Sequence, residues 1–108
     1  MPAVPTITPL QLHQELRSGQ RVTLLDVREP HEHDCCALPD SILIPLGELM
    51  MRLDELDRSK RTVVYCHHGV RSRSAAALLQ GAGFSDVASL AGGIEAWSQQ
   101  VDPAVPRY

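Results

Sequence analysis

No run of lysine or arginine occurs anywhere in the 108 residues, and the formal net charge is −3. A chain with that balance lacks the basic footprint that a phosphate backbone requires, so nucleic-acid binding is not expected. No apolar stretch approaches spanning length, so no membrane helix is expected. The start, Met1-Pro2-Ala3-Val4-Pro5, has neither the basic nor the apolar region of a signal peptide. Cysteine is scarce: three residues, two of them adjacent, do not make a disulfide framework. These absences point to a cytoplasmic chain with reduced thiols. Low-complexity tracts and internal repeats are missing too. What remains is an ordinary globular composition, 44% hydrophobic and 21% charged, enough for one core and one domain over residues 1–108.

What is present centres on one stretch. Thr62 to Tyr65 is a short β-branched and aromatic run that reads as a buried strand. From Ser72 to about Gln80 the chain is Ala- and Leu-rich at helical spacing, which predicts a helix with Ser72 near its N-cap. The loop between them begins with Cys66 and ends with Arg71. Such a loop gathers unpaired backbone N–H groups at the positive end of a helix dipole, which makes an anion site. Those amides and the Arg71 cation favour thiolate over thiol at Cys66. The expectation is a reactive cysteine facing an anionic substrate.

Elsewhere strands and helices alternate. Residues 1–7 are a Pro-containing lead-in, extended over 4–7. Thr8 caps a helix whose first position suits Pro9 and whose capping box is closed by Gln11, with Leu12 and Leu16 on one face and Gly19 as the stop. Val22 to Val27 is a buried strand. Asp26 and Arg28 lie at its end, where a structural ion pair is favoured over anion binding by Arg28. Pro30 to Cys36 is a short helical segment carrying His31, His33, Cys35 and Cys36. Adjacent cysteines suit a closed zinc site poorly, so packing is favoured over metal binding.

Ile42 to Ile44 is a short strand ending at Pro45. Leu46 to Leu56 reads as a helix with Leu46, Leu49, Met50, Leu53 and Leu56 on one stripe, and core filling is favoured over a binding surface for Met50 and Met51. Phe84 plugs the core, Val87 to Leu90 is a fifth strand, and Gly92-Gly93 turns into a helix carrying Ile94 and Trp97. The Pro-rich tail, 101–108, is expected to lie extended along the body, anchored by Val105 and Tyr108. The alternation predicts an α/β fold with a mostly parallel five-stranded sheet covered by helices on both faces.

The run Cys66-His67-His68-Gly69-Val70-Arg71-Ser72 resembles the active-site loop of rhodanese-type sulfurtransferases. Three further segments agree with that family in order and spacing: Leu25 to Pro30 (LDVREP), Ile42 to Leu49 (ILIPLGEL) and Leu90 to Trp97 (LAGGIEAW). The resemblance covers nearly everything from Ile7 to Tyr108 and implies a rhodanese-like three-layer sandwich. It departs at Cys36-Ala37-Leu38-Pro39-Asp40-Ser41, where the family pattern resembles Gly-His-Ile-Pro-Gly-Ala. With both glycines gone, Asp40 is expected to supply the left-handed position.

The resemblance implies that Cys66 attacks a sulfane sulfur, from thiosulfate or a persulfide, and carries it as a persulfide to an acceptor in ping-pong fashion. Cyanide, a thiol or a protein would serve as acceptor, and no metal or organic cofactor is needed. Arg71 closes the loop and offers a planar cation to a sulfonate or persulfide. His67, His68, Gly69 and Val70 contribute chiefly backbone N–H groups, and Ser72 completes the substrate-binding set. A proton-donor role for His67 or His68 stands beside a solvent-facing one. The assembly expected is a monomer or weak dimer.

Three other readings stand beside this one. A phosphatase or arsenate reductase also uses a Cys…Arg loop, but those relatives carry one more residue than the four between Cys66 and Arg71. A non-catalytic interaction module is disfavoured by the presence of both Cys66 and Arg71. A relay handing its persulfide to a sulfur-insertion enzyme shares the chemistry and differs in acceptor. Cys35 or Cys36 resolving the persulfide as a disulfide is a further possibility.

Overall fold

Short strand-forming runs separated by capped helices leave the chain few ways to pair its strands except in parallel. The structure, a computed structural model, describes residues 4–108. In chain order its elements are β1 (Thr6–Ile7), α1 (Pro9–Arg17), β2 (Thr23–Asp26), α2 (Pro30–Cys35), β3 (Ile42–Leu43), β4 (Thr62–Tyr65), α3 (Val70–Gly81), β5 (Val87–Leu90) and α4 (Gly93–Gln100). The five strands form one all-parallel sheet in the order β1-β5-β4-β2-β3. The first three residues of the lead-in, 1–3, lie outside the described residues.

β4 is central and buried along its whole length. It pairs with β2 through Leu24↔Val63, Leu25↔Val64 and Asp26↔Tyr65, and with β5 through Val63↔Ala88 and Val64↔Ser89. The two-residue period then divides the core. Leu24, Val63, Tyr65 and Leu90 pack with Leu12, Ile94 and Trp97 of α1 and α4. Leu25, Val64 and Cys66 pack on the opposite face with Ala75, Ala76 and Leu79 of α3 and with Leu49. Helices therefore cover both faces, as the alternation predicts.

Local chemistry sets several boundaries as the sequence indicates. Thr8 and Gln11 form the reciprocal capping box, Gln11 N–H donating to Thr8 Oγ1 at 3.1 Å and Thr8 N–H to Gln11 Oε1 at 2.9 Å. Asp40 takes the left-handed conformation, with φ of 61°. Two strands are shorter than expected: 23–26 in place of 22–27, and 42–43 in place of 42–44.

Three readings are corrected. The segment after Pro45 is not an α-helix but two 3-10 turns, Leu46–Met51 and Leu53–Glu55, separated by Arg52 at φ −120°. The period becomes three, so Leu49 and Leu56 are buried and Leu46 and Leu53 pack against the core, while Met50 and Met51 are 59% and 81% exposed. Methionine fills no core here. The helix after the cysteine loop starts at Val70 with Gly69 as its N-cap, which puts Ser72 inside the first turn. The tail is not extended throughout: it turns at Asp102–Val105, where Val105 N–H donates to Asp102 O at 3.0 Å.

Candidate active site

Cys66 follows the last residue of the central strand, and the chain must turn at once into α3. Gly69 makes this turn with φ of +101°; a Cβ there would also crowd Gly92 N at 3.3 Å. The turn wraps the sulfur. Gly69 N–H and Ser72 N–H donate to Cys66 Sγ at 3.1 and 3.3 Å. Cys66 is 1% exposed and sits at the N-terminal end of a 12-residue helix. Both the aligned dipole and the two donors turn their positive ends toward the sulfur.

The Cys66 thiol donates to Ser72 Oγ at 3.6 Å, and Ser72 Oγ lies 2.7 Å from Ser89 Oγ. Once the thiolate forms, this chain can run in reverse, Ser89 to Ser72 to sulfur. Ser89 escapes sequence reasoning, although its signal was visible as the one polar residue in the buried strand Val87–Leu90.

The back of the loop is held by α4. Ile94 N–H donates to Cys66 O at 2.9 Å and Glu95 N–H to His67 O at 3.1 Å, so two orphan amides of a helix start hold the carbonyls of the cysteine turn. With those carbonyls fixed backward, the amides of the turn face the sulfur. The positive φ of Gly92 and Gly93, 75° and 62°, brings the start of α4 this close.

The mouth is ringed by residues distant in sequence. Arg71 Nη1 and Nη2 donate to Glu32 Oε1 and Oε2 at 2.6 and 3.0 Å, a bidentate pair. Arg71's hydrogen bonds hold the Glu32 carboxyl well below the usual carboxylate range, against the effect of burial. Tyr108 donates its hydroxyl to Glu32 Oε2 at 2.7 Å, and its ring stacks on His67 with centroids 3.8 Å apart. His68 stacks with His67 at 3.9 Å. Glu32 was visible only as a helical residue of the 30–36 segment, and no local signal ties it to Arg71.

His67 Nε2 is buried without a hydrogen-bond partner among the described residues; Glu95 Oε2 is 3.6 Å away and Glu95 pairs with Arg107. Burial, then the neighbouring His68, holds the His67 imidazole below its ordinary value. The unfolded chain therefore binds this proton at higher pH than the folded one. The stability contributed by neutral His67 is present above about pH 6.5 and is lost as pH falls below it. His67→Gln is accordingly expected to flatten the acid-side fall in melting temperature; an unchanged slope between about pH 6.5 and 5 would count against this account.

Arg28 belongs to a structural network, as the sequence favours. It is fully buried, bound to Asp26 through Nε and Nη2 at 2.9 and 2.7 Å, to Cys36 O at 2.6 Å and to the Tyr108 hydroxyl at 2.8 Å. Asp26 Oδ2 also meets His33 Nδ1 at 2.8 Å and accepts from Tyr65 at 3.2 Å. Burial first, and then Asp26, pushes the Tyr65 phenol up to about 12. Cys35 and His31 are exposed, whereas Cys36 is buried with its thiol donating to Pro106 O at 3.4 Å. Among the described residues no group of three or more His, Cys, Asp or Glu gathers in metal-holding geometry, and no helix is long and apolar enough to cross a membrane.

Residues 8–100 match the family model of the rhodanese-like domain. The chain is 43% identical over 89 residues to the thiosulfate sulfurtransferase GlpE of Pseudomonas syringae pv. syringae, covering 82% of this chain and 83% of that one. It is 41% identical over 105 residues to the "Probable adenylyltransferase/sulfurtransferase MoeZ" of Mycobacterium tuberculosis, covering 95% of this chain but only 27% of that protein. The chain thus spans about a quarter of that longer relative. The crystal structure of a rhodanese-related protein from Thermoplasma volcanium has a TM-score of 0.83 at 33% identity, covering 96% of this chain and 99% of that one.

Proposed function

The chain belongs to the rhodanese-like domain family, and from that premise we propose that it is a sulfurtransferase working through a persulfide on Cys66. The observation that carries the reading is the convergence of two amides on the buried Cys66 sulfur at the start of α3. A thiolate held there attacks the outer sulfur of thiosulfate. The S–S bond breaks, its electron pair leaves with sulfite, and Cys66 keeps the sulfur as Cys–S–S⁻. The amides of His67, His68, Val70 and Arg71 are not engaged with Sγ and are available to the outer sulfur's charge. An acceptor thiolate or cyanide then removes that sulfur and restores the Cys66 thiolate. No metal or organic cofactor enters either step. The free thiols suit a reducing compartment such as the cytoplasm.

Intact-mass measurement after incubation with thiosulfate or polysulfide tests this. The expected result is a gain of one sulfur atom that cyanide removes. No adduct from either donor would end the sulfur-transfer reading and return attention to oxyanion hydrolysis. A second reading concerns the acceptor alone. The relative in which such a chain forms about a quarter of a protein named for adenylyltransferase and sulfurtransferase activity favours a relay, with a protein as acceptor.

A further inference from the structure

Thiosulfate carries two negative charges, and the residue placed to meet them is already matched. Besides its two bonds from Arg71, Glu32 accepts the Glu29 N–H on Oε1 at 3.0 Å and the Tyr108 hydroxyl on Oε2 at 2.7 Å. With four donors on two oxygens and a side chain only 10% exposed, Glu32 is locked in place. The neighbouring charges are paired as well, Glu95 with Arg107 and Arg28 with Asp26. Beside these pairs stands a flat wall of stacked rings, His68 on His67 on Tyr108, with Val70 exposed at the loop tip. Such a mouth offers a dianion little net attraction and offers an organic group a surface to lie against.

We propose that Glu32 is a positioning residue that sets donor specificity: by holding Arg71 bidentately it cancels the cation at the mouth and turns the site toward organic persulfides, R–S–SH, in preference to thiosulfate. The inference rests on the sulfur-transfer reading and deepens it. In the loading step the Cys66 thiolate bonds the outer sulfur of R–S–SH. The S–S bond of the donor breaks, R–S⁻ leaves with its electron pair, and Cys66–S–SH remains. The donor is neutral, so the site holds a single negative charge throughout, first on Cys66 and then on the leaving R–S⁻, and no uncompensated cation is required. Attack on thiosulfate instead brings a thiolate and a dianion together, three charges in all, which a free Arg71 would relieve.

Donor competition tests the idea, with cysteine persulfide and thiosulfate as probes and persulfidation of Cys66 as the readout. The wild type is expected to load from cysteine persulfide with the higher kcat/KM. Glu32→Gln, which frees the Arg71 charge at nearly constant shape, should raise kcat/KM for thiosulfate by roughly 10-fold or more and leave the persulfide value within about 3-fold. Glu32→Asp, which keeps the charge, should retain the wild-type preference. Parallel changes for both donors in Glu32→Gln would reduce Glu32 to a structural role and overturn the proposal. Salt dependence in the wild type gives an independent check should the variant fail to fold. A thiosulfate kcat/KM nearly flat with ionic strength supports a compensated mouth, and a steep fall overturns it. Loading from neither donor would instead remove the sulfur-transfer reading beneath it.

Discussion

On the proposed function, Cys66→Ser is expected to lower kcat/KM for sulfur transfer from thiosulfate to cyanide by roughly four orders of magnitude or more, with a melting temperature close to that of the wild type. The two effects separate because the site asks two things of this atom. Chemistry needs a soft, polarisable nucleophile, and a serine hydroxyl at its ordinary acidity is a poor one toward sulfane sulfur. Structure needs only an acceptor for the Gly69 and Ser72 amides at 3.1 and 3.3 Å, and a hydroxyl oxygen is one. Cys66→Ala should be equally inactive and also less stable by about 1–3 kcal/mol, because it leaves buried donors without a partner. Rates and urea melts of both variants check this. Transfer within about 10-fold of the wild type in Cys66→Ser would mean that some other group carries the sulfur.

Gly93→Ala produces the largest loss expected away from the sulfur itself. A Cβ at this position would lie 2.6 Å from His67 C and against the carbonyl oxygens of Cys66 and His67, all of them backbone atoms that cannot rotate aside. Its φ of +62° adds the strain of a left-handed residue. Together these predict a loss of about 2–4 kcal/mol in stability. Where the variant still folds, relief requires the catalytic turn and α4 to move apart. That weakens the bonds from Ile94 and Glu95 to the loop carbonyls, and the amides lose their aim at Sγ. A fall of roughly 100-fold in kcat/KM is expected from misplacement of this order. Gly81→Ala is the control, since nothing lies within 4 Å of its added Cβ and its φ is not positive. Equal, small effects from the two substitutions would refute the account.

The features legible in the sequence are those written over a few neighbouring residues. Thr8 and Gln11 announce a capping box because both partners lie within one turn, and Asp40 stands where the resembled family pattern has a glycine, which points to a left-handed position. The cysteine loop was readable because a strand run and a helix run flank it directly. The helix begins at Val70, two residues before the expected Ser72, because closure of the turn on sulfur gives the cap position to Gly69. In the 46–56 segment Leu46, Leu49, Leu53 and Leu56 satisfy a helical period with or without Met50, and only the packing shows two 3-10 turns broken at Arg52. Glu32 and Arg71 are 39 residues apart, and Tyr108 and Glu32 76 apart. Nothing local encodes such pairs. They arise from which strand ends the sheet order brings side by side.

The hold of α4 on the catalytic turn also bears on how the protein reaches its working state. Cys66 and Ile94 come from opposite sides of β5, and their contact closes a long loop that contains the whole of α3. Because β5 lies between them in the chain and pairs with β4 in the sheet, α4 reaches the turn only when β5 is in place, so its docking completes the site. A chain with its sheet formed but α4 undocked would carry the thiol without the geometry that arms it. Reactivity and completed folding therefore arrive together, which spares the nascent chain an activated cysteine before it has a pocket to work in.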